Sequence, residues 1–200
     1  NYSGVNINGE IDPNFLNKAP GVIIGGGAKN NILGGTSPQE ANVIAGNAAG
    51  VFIATFFGLV PSENAILGNS IYSNSSGSTP GLGIDILADT DNDFVPDTDL
   101  LVNPNDAGDG DVGPNHKLNY PIVSNVESSG DDVSITYSLD VDNAEGPATG
   151  YRVEFFANVS ANPSGHGDGQ LYLGYENISG SVSNHTFTIS NTGLPIGTYA

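Results

Sequence analysis

Two hundred residues allow one or two domains with a core of ordinary size. The chain carries 22 acidic residues against four basic ones (Lys18, Lys29, Lys117 and Arg152), a net charge of −18. That balance excludes unassisted binding to nucleic acid or anionic lipid and favours cations as partners. There is no Cys, hence no disulfide or thiolate site, and no apolar run long enough to span a bilayer.

Gly (28) and Asn (24) are abundant, and both take up the positive φ of tight turns. A hydrophobic content of 38% argues for a folded chain, and no capped stretch shows helical periodicity. The expected fold class is all-β: a short right-handed parallel β-helix followed by an antiparallel β-sandwich.

The first element, residues 1–87, is a set of repeats. Gly21-Val22-Ile23-Ile24, Gly50-Val51-Phe52-Ile53 and Gly81-Leu82-Gly83-Ile84 share one pattern, with an earlier copy at Gly4-Val5-Asn6-Ile7. Asn31-Ile32-Leu33-Gly34-Gly35 returns as Ala65-Ile66-Leu67-Gly68-Asn69. Asn42-Val43-Ile44-Ala45-Gly46-Asn47 is echoed by Ser70-Ile71-Tyr72-Ser73-Asn74. The order of the patterns is the same in both rounds, which predicts a three-sided coil with Gly or Asn at the corners. Stacking would place Ile23 over Phe52, Ile32 over Ile66 and Ile44 over Ile71 as one buried ladder. Asn47 and Asn74 would meet at equivalent corners and hydrogen-bond along the axis. The chain opens inside a repeat, so its natural start is expected upstream.

The second element, residues 88–119, is an acidic linker or cap. Nine Asp lie between Asp85 and Asp111 with no Lys or Arg among them. Asp89, Asp91, Asp93, Asp97 and Asp99 alternate in the way that turns side-chain oxygens inward on a tight loop, which suits Ca²⁺ and its six to eight hard oxygen ligands. Without a cation these carboxylates would repel. Phe94 stands where such loops place Gly, and Leu100 where they place a bidentate Glu. Asn103, Asn105, Asp106, Asp109 and Asp111 form a second candidate cluster, which could hold another ion or complete the first site with Asp85. Calcium is expected as a structural staple between coil and sandwich.

The third element, residues 120–200, changes period to two. Val133, Ile135, Tyr137 and Leu139 alternate with Ser134, Thr136, Ser138 and Asp140. Strands are expected over 151–157, 170–175, 185–190 and from 196 to the end. The last begins at Gly197-Thr198-Tyr199 and stops at Ala200, so the sandwich is expected to lack part of a strand. Either the polypeptide continues, or a neighbouring subunit supplies the strand and builds a filament.

The stretch 21–86 resembles the Asn- and Gly-rich right-handed parallel β-helix repeats of large bacterial surface proteins. "GNSIYSN" (68–74), "GLGIDI" (81–86) and "NPNDAGDGDVGPNHKLNYPIV" (103–123) are similar to the junction where such repeats end. "YRVEFFANVSANPSGHGDGQLYLG" (151–174) resembles the sandwich that follows. The Asp89–Asp99 loop resembles thrombospondin type 3 and EF-hand-type calcium loops. The resemblance implies an extracellular setting, secreted or at the cell surface, and no established reaction.

No catalytic constellation stands out. Lys18 and Lys29 are the only bases on the repeats, and Glu10, Asp12, Glu40 and Glu63 share no ladder. His116, His166 and His185 lack metal-ligand spacing and read as turn or surface residues. "GHGDG" (165–169) reads as a hairpin loop, with Asp168 a further calcium candidate. Asn1, Asn74, Asn158, Asn177 and Asn184 fit the N-glycosylation pattern. The expected function is an extracellular structural or adhesive protein, stabilised by calcium, partnered by itself or other surface proteins. The alternative is a carbohydrate-binding or polysaccharide-processing protein with exposed Tyr platforms.

Overall fold

The computed structural model describes residues 1–14, 16–76, 79–87, 102–141, 150–190 and 192–194. Asp89, Asp91, Asp93, Asp97 and Asp99 lie outside them, as do residues 195–200, where the last strand was expected.

The fold is all-β, with small parallel sheets first and antiparallel sheets after. The first half holds β1 (Tyr2–Ser3), β2 (Pro20–Gly25), β3 (Ile32–Gly34), β4 (Val43–Ala45), β5 (Ala49–Ala54), β6 (Ala65–Leu67), β7 (Ser70–Tyr72), β8 (Ser75–Ser76), β9 (Thr79–Pro80) and β10 (Ile84–Leu87). Strands of like position pair in parallel: β2 with β5 and β5 with β10, β3 with β6, and β1 with β4 and β4 with β7. Ile24, Ile44, Val51, Ile53 and Ile71 form the buried core, with Val22, Leu33, Ile66 and Ile86 packed against it. Each fully buried aliphatic side chain stabilises by about 1.5–3 kcal/mol before conformational entropy is counted.

Two expected rungs are present, Ile23 with Phe52 and Ile44 with Ile71. Three details differ. Ile23 and Phe52 point outward, and the rungs of that wall that pack on the core are Val22 with Val51 and Ile24 with Ile53. A continuous apolar run does not reveal which alternate residues face in. Ile32 pairs with Ala65, and Leu33 with Ile66, so Ile32 sits 67% exposed. A one-residue slip moves a side chain to the other face. Ile84 pairs with Val51, two residues from the motif alignment, and is exposed, while Asp85 beside it is buried.

After a short turn at Pro114–Lys117 the chain forms β11 (Ile122–Ser129), β12 (Asp132–Leu139), β13 (Tyr151–Ala157), β14 (Leu171–Ile178) and β15 (Val182–Ile189). One antiparallel sheet has the order β11-β12-β15, and the other is β13-β14. The alternation on β12 reads through to the structure: Ile135, Tyr137 and Leu139 are buried, joined by Val141, Val153, Phe155, Ile178 and Ile189. β11 is a strand the period-two reading did not single out, and its residues are exposed along its length.

The halves are joined by direct bonds. Ile71 on β7 and Gly169 exchange two backbone hydrogen bonds, of 2.8 and 2.7 Å. Ser70 Oγ donates to the Gln170 carbonyl, the Gly68 amide to Glu154, and the Ser73 amide to Asp168. The "GHGDG" loop is therefore the clamp that closes the exposed edge of β7.

Candidate functional site

Three columns of asparagine run through the corners of the first half. The backbone N–H and Nδ2 of Asn47 both donate to Asn74 Oδ1, at 3.1 and 3.0 Å. Asn42 makes the same pair of bonds to Asn69 Oδ1, at 3.0 and 2.8 Å. Asn31 makes them to Asn64 Oδ1, at 3.2 and 2.8 Å. The receiving amides then donate back to a carbonyl of the strand layer beneath: Asn74 to Ile44, Asn69 to Leu33 and Asn64 to Ala28. The receiving residues Asn64, Asn69 and Asn74 are buried, and each satisfies corner backbone groups as buried amides require. Asn47 and Asn74 are 1% and 2% exposed. Asn74 is therefore committed to the interior, although it fits the glycosylation pattern.

The glycines beside these columns have a steric reason. Gly4 and Gly34 hold φ of +76° and +86°, and a Cβ on either would collide with the next layer's carbonyl and Asn amide. Those contacts involve Ala45 and Asn47 for Gly4, and Leu67 and Asn69 for Gly34. Only Gly meets both demands without strain.

The third column continues into the turn at Pro114–Lys117. Asn64 N–H and Nδ2 donate to Asn115 Oδ1, at 3.1 and 3.2 Å. Asn115 Nδ2 donates back to the Asn64 carbonyl at 2.6 Å, and its backbone N–H to Pro61 at 2.8 Å. Asn115, at φ +45°, thus stands where the next layer's Asn would be.

No protein-family model matches the chain, and no solved structure matches it.

Of the acidic candidates, those after residue 102 are described. Asn105 is committed to Tyr120: its Nδ2 donates to the carbonyl at 2.8 Å and its Oδ1 accepts the N–H at 3.0 Å. Asp106 accepts the Gly110 N–H. Asp109 Oδ1 accepts the Asn119 N–H at 2.7 Å. Asn119 is the hub that sequence reasoning passed over. Its Oδ1 takes the Asp106 N–H, and its Nδ2 donates to the carbonyls of Asp106 and Asp140. The acidic turn is thereby fastened to the end of β12. Asn103 Nδ2 donates to Ile86 on β10, and Asp85 is buried on that strand.

Asp111 differs from its neighbours. Its Oδ1 is buried without a hydrogen-bond partner among the described residues, and its Oδ2 lies 3.9 Å from Lys117. Burial raises its pKa above the ordinary carboxyl value, Lys117 opposes the rise, and the charges of Asp106 and Asp109 add to it. A hard cation would relieve that arrangement, and an orphaned carboxylate oxygen is the donor it takes. Among the described residues no three His, Asp or Glu side chains come together as they stand to hold a metal.

The antiparallel sheets carry two further features. Tyr137 Oη donates to Glu176 at 2.7 Å, and His185 Nε2 meets the other Glu176 oxygen at 3.0 Å. Burial, then the bond to Glu176, pushes the Tyr137 hydroxyl pKa up, so it stays protonated as the donor. His185 is therefore a brace between strands rather than a free surface residue. The second feature is a groove of about 700 Å³ between the sheets. One wall is made by consecutive residues of β13, Val153 to Ala157, which is the signature of a strand edge and not of a face. The facing wall is apolar, with Val123 and Val126 of β11 exposed above Ile135. Among the described strands, only β14 pairs with β13.

Proposed function

We propose that this chain is a capped stalk element of an extracellular surface protein, structural or adhesive in role. Residues 1–87 are its right-handed parallel β-helix coils, residues 88–119 its calcium-stapled cap, and residues 120–200 its sandwich. Copies join when an extended strand enters the groove and adds to β13.

The observation that carries this reading is the repeated Asn column. Layers 27 to 33 residues apart are tied by the same three amide bonds at three corners, and the cap supplies the next amide at one of them. Such a stack adds layers without changing its cross-section, which suits a rigid spacer. The groove supports the assembly step: it offers one strand edge and one apolar wall, the two surfaces that strand addition uses. Placement outside the cell rests on the resemblance to bacterial surface repeats and on the acidic composition.

Calcium is part of the same proposal. Asp89, Asp91, Asp93, Asp97 and Asp99 are its first ligands. Asp111 supplies the orphaned oxygen of the second cluster, beside Asp106 and Asp109. Asn105, held by Tyr120, contributes to shape and not to coordination.

Light scattering and electron microscopy of the full chain, with calcium and with a chelator, test the reading. Concentration-dependent linear assemblies that a charge placed in the groove (Val126→Asp) abolishes are expected. A monodisperse monomer in both conditions removes the assembly step. A melting temperature and protease resistance unchanged by chelation remove the calcium staple.

A further inference from the structure

We infer that a second cavity, a cleft of about 420 Å³ between the first half and the start of β14, binds a neutral oligosaccharide. It is lined by Tyr2, Asn8, Ser70, Tyr72 and Gln170 among small aliphatic residues, and by no charged side chain. An anion finds no cationic partner there, and a cation finds no carboxylate.

The cleft offers two kinds of contact at once. Tyr2 is more than half exposed, and Tyr72 is partly exposed. Such rings supply rigid apolar faces with a polar tip, which match the C–H faces of a pyranose. The amides match its hydroxyls, and the backbone that carries each is held in advance. Gln170 has its N–H on Asn158, its carbonyl on Ser70 and its Oε1 turned to the Val159 N–H at 3.4 Å, which leaves Nε2 for a ligand. Asn8 rides on a closed turn in which Asn6 Oδ1 accepts the N–H groups of Asn8 and Glu10. The Tyr72 hydroxyl reaches the Gly9 carbonyl at 3.3 Å and ties that turn to β7. Preorganised groups of this kind lower the ordering cost of binding.

This inference goes beyond the stalk reading and does not depend on it, since the cleft is complete within one chain. The test titrates the full chain with cellotetraose, maltotetraose and mannotetraose, and with tetragalacturonate as the acidic control, by isothermal calorimetry and by NMR amide shifts. The expected result is saturable binding of at least one neutral tetrasaccharide, with shifts at Asn8, Tyr72 and Gln170. Tyr2→Ala and Tyr72→Ala should each weaken it about tenfold, roughly 1.4 kcal/mol. Tyr72→Phe should retain most of the affinity. Tyr2 is exposed, so its variant keeps the test decisive even if Tyr72→Ala unfolds. No binding by any neutral probe, preference for tetragalacturonate, or affinity unchanged by Tyr2→Ala would overturn the proposal.

Discussion

The two halves of this chain reach order by different means. In the sandwich, the core is apolar volume around Tyr137, Phe155 and Ile135, and one polar chain, Tyr137–Glu176–His185, crosses it. In the first half the aliphatic core is thin, and directional amide bonds set the stacking of the layers. Volume tolerates exchange among side chains of similar size, whereas an amide column tolerates only a group with the same donors and acceptor. Both halves should therefore be sensitive to truncation, and the first should be the more sensitive to isosteric apolar replacement.

The largest effect is expected in the sandwich. Tyr137→Ala removes a fully buried ring and leaves Glu176 without its donor. Its cost should be about 4 kcal/mol by chemical denaturation, in the range for large-to-small aromatic changes. Tyr137→Phe keeps the ring and removes the donor alone, so its cost should be about 1–2 kcal/mol. A Phe variant as damaged as the Ala variant would mean that the polar brace, and not volume, governs this half.

Next in size is Asn74→Leu. The size is conserved and the amide lost, which orphans the Asn47 backbone N–H and takes one donor from the Ile44 carbonyl, while Asn47 Nδ2 keeps its bonds to the Ser3 and Ala45 carbonyls. A loss of about 3 kcal/mol is expected, against about 1 kcal/mol for Ile135→Val in the sandwich core. Equal losses would erase the contrast between the halves.

These columns also explain what was legible in advance. The Asn47–Asn74 contact could be read because both residues end a recurring pattern. The slip at Ile32 arose because the apolar runs 32–34 and 66–68 look alike, whereas the amides align Asn31 with Asn64. Alignment on Asn would have set the register, since the corner bonds fix which layers meet. Asn115 and Asn119 were hidden for another reason. Each acts on partners far along the chain, Asn115 on Asn64 and Asn119 on Asp140, and neither belongs to a repeat. The clamp of the 165–169 loop on β7 and the groove beside β13 are likewise long-range pairings without a local pattern. Asp89, Asp91, Asp93, Asp97 and Asp99, the most regular spacing in the chain, lie outside the described residues and remain a proposal.

Asn115→Ala probes the seam between the halves. It removes the amide that the cap offers to Asn64 while leaving both apolar cores intact. A loss of about 1–2 kcal/mol is expected. Calorimetry should then resolve two transitions, because the layers would unfold ahead of the sandwich. A single transition at the original temperature would mean that the Gly169 clamp and the bonds beside it, from Gly68, Ser70 and Ser73, couple the halves without Asn115.

The smallest effect concerns Asp111, and its sign separates a strained carboxylate from an ordinary stabilising one. Its folded pKa is raised, so between the unfolded and folded values the native state holds more protons than the unfolded state. Stability contributed by this group therefore falls as pH rises through that window and is recovered on acidification. A carboxylate kept charged by a partner would show the opposite slope. Asp111→Asn should accordingly raise the melting temperature slightly at neutral pH in chelator and flatten the acid side of the pH profile. In calcium the same variant should be less stable than the parent, because a cation turns the raised carboxylate into a ligand. A variant with the same stability difference from the parent in chelator and in calcium would place the ion elsewhere and leave Asp111 as strain that Lys117 only partly offsets.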